Sequence, residues 1–220
     1  MSHTMNRPKA YVGNVKNREK KNLGVTSVDE IARGINHQIN TRCRNKHLWC
    51  YSEKALNEVA EKLRVLDVID NSNFYPFTSF EALYDYIQNE IGEIKGVGPV
   101  EVYDVSLCLG ERMKPQVVPM DYVYVHGKLV ESVRHLLALD RAHLSRVKKE
   151  HRIEVTYFGS LYQEIKDKQY AARAIEEWLC NEHKVLLSTQ SLKLNNRHEI
   201  QSTQKCTKPT RLCKANHTNI

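Results

Sequence analysis

Apolar positions recur at helical spacing over most of the chain. Val28, Ile31, Ile35 and Ile39 fall three or four residues apart behind Thr26 and Ser27, which predicts a helix over 28–40. Leu56, Val59, Leu63 and Leu66 repeat the pattern behind Ser52 and predict a second helix over 53–66. The polar turn-forming stretch 70–77 follows, and it leads into Thr78-Ser79-Phe80-Glu81. That string reads as a capping box, with Thr78 as the cap and Glu81 reaching back. Phe80, Leu83, Tyr84, Ile87 and Ile91 then define a third helix. Further on, Leu129, Val133, Leu136 and Leu137 mark one helix, and Ile165, Ala172, Ile175, Trp178 and Leu179 mark one long or broken helix. Only 117–126 and 152–158 have a strand-like pattern, so the expected class is all-α. Past Ser188 the apolar period is lost, and 189–220 reads as a disordered tail.

Composition adds limits. The 220 residues are 41% hydrophobic and 27% charged, the balance of an ordinary globule. No apolar run is long enough to span a membrane, and the first residues lack the apolar stretch of an export signal, so a cytoplasmic protein is expected. Six cysteines are too few for a disulfide scaffold and read as reduced thiols.

The net charge of +7 is unevenly placed. Residues 1–24 carry Arg7, Lys9, Lys16, Arg18, Lys20 and Lys21 against Glu19, and 189–220 carry six cations against Glu199. Each end is thus +5, and 25–188 comes to −3. Two basic, flexible termini on a mildly acidic helical domain are the expected organisation. Within that domain Arg42, Arg44 and Lys46 form the densest basic spot. Lys and Arg so placed suit nucleic-acid phosphates, whose counterions they release.

One segment carries a chemical signature. Ile94, Lys95, Gly96, Val97, Gly98 and Pro99 lie between the helix from Phe80 and a further apolar period, Val102, Val105 and Leu109, expected to end at Gly110. The glycines permit a tight turn and a close backbone approach, and Pro99 suits the first position of a helix. Amides at such a helix start attract anions. From Phe80 to Gly110 the chain resembles the helix-hairpin-helix element of sequence-independent DNA-binding proteins. Val100 and Val102 depart from it: the family usually has a polar or basic residue at the first position and often a small one at the second. The resemblance implies that 94–99 grips the backbone of duplex DNA, with Lys95, Gly96, Val97, Gly98 and Pro99 at the contact and Arg42, Arg44 and Lys46 assisting. A non-enzymatic role, or one accessory to repair, recombination or mobile elements, follows from it.

Some proteins with this hairpin are DNA glycosylases, with a catalytic Asp about twenty residues past it. Asp121 lies at a similar place, and a carboxylate there suits a developing oxocarbenium ion. Val100 stands where the lyase members carry a lysine, which excludes a Schiff base. A monofunctional hydrolase using Asp121 is therefore the enzymatic alternative. A helical protein-interaction module, with the glycines only making a turn, is the other. Cys206 and Cys213 match only the first spacing of the glycosylase iron-sulfur motif, so no cofactor is expected. Cys43, His47 and Cys50 are a possible zinc set lacking a fourth ligand. Tyr84, Tyr86 and Tyr103 are candidates for stacking on bases, and Arg141, Arg146, Lys148, Lys149 and Arg152 for following a backbone.

Overall fold

The computed structural model describes residues 5–22, 53–65 and 77–188. The helix expected over 28–40, the cluster Arg42, Arg44 and Lys46, the set Cys43, His47 and Cys50, and the tail 189–220 lie outside these residues. Eight α-helices and two short strands are described: α1 Val12–Asn22, α2 Glu53–Val65, α3 Phe80–Ile91, α4 Pro99–Arg112, β1 Tyr122–Tyr124, α5 Leu129–Leu137, α6 Arg141–Glu150, β2 Arg152–Glu154, α7 Gly159–Gln163 and α8 Ala171–Ser188. The all-α class holds, since the only described sheet is the antiparallel pair β1–β2 at the two strand-like stretches. No described helix is long and apolar enough to cross a membrane.

Two hydrophobic cores meet along β1. Side chains alternate across a strand, and Val123 joins one core while Tyr124 joins the other. The first core gathers Val15 of α1, Leu129 and Val133 of α5, and Ile175, Trp178 and Leu179 of α8 around Phe158 and Ile165. The second packs Val59 and Leu63 of α2 with Leu83, Ile87 and Ile91 of α3 and Val102, Val105 and Leu109 of α4. Phe80, Tyr84, Tyr103 and Tyr124 form its aromatic end. The Tyr103 and Tyr124 rings stack at 5.1 Å, and Phe80 meets Tyr124 edge-on at 5.2 Å.

Three sequence expectations change. The cap of α3 is Ser79, not Thr78: the Ser79 Oγ accepts from the Ala82 amide at 3.2 Å. Starting there puts Phe80 at the first helical position, where it is buried under Tyr103 and Tyr124. Helix α4 runs past Gly110 to Arg112. Gly110 is needed there for close approach, because a Cβ would lie 1.9 Å from the Val117 carbonyl oxygen as the chain returns over the helix.

The third change concerns the basic N-terminus. Residues 5–22 are not a free arm but a 3-10 turn, Pro8–Tyr11, followed by α1, both packed on α8. The Trp178 Nε1 donates to the Asn6 carbonyl at 2.7 Å and the Tyr11 hydroxyl to Glu182 at 2.9 Å. Arg7 and Lys9 pair with Glu164, Lys16 with Asp167 and Arg18 with Glu177. Acids of 25–188 thus hold four of the six cations of the first 24 residues.

Candidate nucleic-acid interface

The turn between α3 and α4 is closed by short-range backbone bonds. Gly92 donates to Gln88, Ile94 to Ile91 and Val97 to Ile94, at 2.9, 3.1 and 2.9 Å. Ile94 and Val97 pack against the second core, which leaves Lys95 exposed between them. Apolar residues alternating with small and charged ones therefore fix the turn to the body while presenting its tip to water.

The two glycines occupy different environments. Gly96 has φ +98°, a conformation that L side chains rarely adopt, and a Cβ there would touch Ala55 of α2 at 3.6 Å. Gly98 is extended, at φ −124° and ψ 177°, and a Cβ there would meet nothing within 4 Å. Gly98 is the cap residue of α4, no side chain caps that helix start, and Pro99 at the first position has no amide to give. The amides of Gly98, Val100 and Glu101 have no acceptor within the helix, because the ladder begins with Val102 donating to Gly98 at 3.1 Å. Gly98 and Val100 are partly exposed and Gly98 borders open space, whereas Glu101 is fully buried, so two of these donors lie at the open, positive end of the helix dipole.

Among the described residues, the side chains around this end are mixed in charge. Lys95 is exposed, but so is Glu93, and Glu90 is half-buried on α3. Glu101, in the first turn of α4, is 0% exposed. Burial, with Asp104 adding repulsion, pushes its carboxyl up to about 8. Asp104 is itself pushed up to about 7 by burial and Glu176, against the opposing pull of Arg18.

Asp104 in turn borders a layer of buried charge where α1 and α8 meet α4. Arg173 of α8 donates to Glu111 of α4 at 2.5 Å and lies 3.8 Å from Glu19 of α1. Glu176 is raised by burial, while Arg18 favours its ionised form. Sequence reasoning missed this layer, because an acid in a periodic helix reads as its wet face. Ten of the fourteen residues of α4 are buried, Glu101 and Glu111 among them.

The remaining candidates do not gather at the hairpin. Tyr84 and Tyr103 are buried in the aromatic cluster, and Tyr86 packs beside Phe77 at 5.5 Å, so the expected base-stacking faces are used internally. Arg146 pairs with Glu150 and Arg152 with Asp85, whereas Arg141, Lys148 and Lys149 lie on the exposed side of α6. Asp121 is exposed beside the two-stranded ribbon, where its backbone carbonyl accepts from Val155 at 2.8 Å. The described cleft, lined by Thr156, Gly159, Ser160, Tyr162, Gln163 and Glu164, does not include it. Neither a family model, nor a curated protein, nor a solved structure matches this chain.

Proposed function

We propose that this protein binds the sugar-phosphate backbone of duplex DNA without sequence preference, through the α3–α4 hairpin at Lys95–Pro99. The observation that carries this reading is the uncapped start of α4, with open space around Gly98. A phosphate oxygen there accepts from backbone amides and gains from the helix dipole. Contacts of this kind position a protein on DNA and carry no sequence information. Lys95 adds one exposed cation at the tip. Arg7, Lys9, Lys16 and Arg18 contribute little in the folded state, since acids of the same chain already hold them.

Fluorescence anisotropy with a labelled duplex of about 20 base pairs, at about 50 mM salt where phosphate contacts are strong, tests the reading. Wild type should bind, and affinity should fall with salt by a log–log slope of about −0.9 for each phosphate neutralised. Gly98→Val should weaken binding severalfold while its circular dichroism stays that of wild type, because the site is extended and unobstructed. Equal binding by a folded Gly98→Val protein sinks the proposal. Base excision from damaged duplexes that Asp121→Asn abolishes would replace it with the hydrolase.

A further inference from the structure

The first turn of α4 holds a buried carboxyl with no hydrogen-bond partner. Glu101 is fully buried, and neither Oε1 nor Oε2 is bonded. It lies three residues after the Gly98 cap, where a Glu ordinarily reaches back to the cap amide. Here that bond is not made. Helix side chains lean toward the N-terminus of their own helix, so the carboxyl lies at the same positive end that faces the open space beside Gly98. Any anion drawn to the amides of Gly98 and Val100 comes to the same first turn of α4 that carries the Glu101 carboxyl.

We infer that Glu101 is an internal counter-anion that sets the hairpin's affinity for phosphate: protonated, it leaves the start of α4 to the DNA backbone, and ionised, it repels it. The inference rests on the DNA-binding reading above and specifies how that site is regulated.

The charge states fit a transition above neutral pH. Burial and Asp104 hold the Glu101 proton up to about 8. Asp104 is coupled in turn to Glu176 of α8, which favours its protonated form, and to Arg18 of α1, which opposes it. Among the described residues, the other charges near this end include Glu93 and Lys95 of the turn, both exposed, and Lys54 and Glu58 of α2, which pair with each other at 3.9 Å, where water and salt screen them. Duplex DNA keeps its charge over this range, so a change in binding reports on the protein.

The test is anisotropy with the same duplex at pH 6.5, 7.5, 8.5 and 9.0 at fixed ionic strength. Wild-type affinity should fall about tenfold from the lowest to the highest pH, the size expected for one added charge several ångströms from a phosphate in a medium between protein and water. Glu101→Gln should bind at every pH as wild type does at 6.5. Glu101→Met, an apolar replacement of similar length, should do the same and guards against misfolding of the amide. Asp104→Asn should keep the transition but move it to lower pH, because a neighbour that discourages ionisation is gone. A flat wild-type profile, or one unchanged in Glu101→Gln and Glu101→Met, overturns this inference and leaves DNA binding standing. No binding at any pH overturns both.

Discussion

Gly96 and Gly98 are two residues apart and meet different demands. Gly96 is there for its backbone, since φ +98° is costly for any L side chain, whereas the nearest neighbour of a Cβ, Ala55 at 3.6 Å, is an ordinary contact. Gly96→Ala should therefore destabilise the protein by about 1–2 kcal/mol, all of it from the dihedral. Gly98→Ala meets neither a forbidden dihedral nor a neighbour, and should cost about 0.5 kcal/mol through the poorer cap. Urea midpoints of the two variants check this, and equal losses would reject the division of roles. The pattern of two glycines and a proline was legible in the sequence as a turn opening a helix. Which glycine is strained and which is open was not, because that depends on α2 lying against one side of the turn.

At the scale of elements, legibility follows how many faces of a helix are covered. Helices α3, α5 and α8 each keep a polar side, so the apolar period shows them plainly. Helix α4 is wrapped by neighbours, and its acids misread as solvent-facing. Helix α1 was hidden for the opposite reason: Val-Gly-Asn-Val-Lys-Asn-Arg-Glu-Lys-Lys-Asn has two apolar residues and many charges, and its packing on α8 and α4, with the Lys16–Asp167 pair, explains why it is ordered. The segment before it anchors through Tyr11 and through the Trp178 bond to Asn6, and α1 itself through Val15. Deleting residues 1–22 should uncover Trp178 and Arg173 and lower the melting midpoint by about 10 °C or more, given a few kcal/mol of lost burial in a chain of this size. A truncated protein that melts with the full-length chain would show that the segment is the loose basic arm its charge suggests.

For the whole molecule, the buried charge of α4 and α8 ties folding to pH in a direction uncommon for carboxyls. Glu101 and Asp104 hold their protons up to about 8 and about 7, from ordinary values of 4.5 and 3.8, and Glu176 is shifted the same way. Between the unfolded and folded values the native state binds protons that the unfolded chain has already released. Stability then falls as pH rises, by about 1.4 kcal/mol per pH unit for each proton so held. His151 works in the opposite sense: burial lowers its pKa below 6.5, so the native state resists the proton that the unfolded chain accepts, and stability drops as pH falls through that region. Cys108, pushed up to about 12 by burial, extends the alkaline loss once unfolded thiols begin to ionise near 9. The urea midpoint should therefore decline from pH 6.5 toward 8.5, steepest at the lower end where the native state still holds the carboxyl protons and flattening as Glu101 releases its own near 8. Glu101→Gln combined with Asp104→Asn should flatten that decline and unmask the acid limb set by His151, which the carboxyls outweigh in the wild type. A wild-type midpoint that is constant or rising over the same interval would mean that water reaches these carboxyls, and the layer between the cores would then be an open seam.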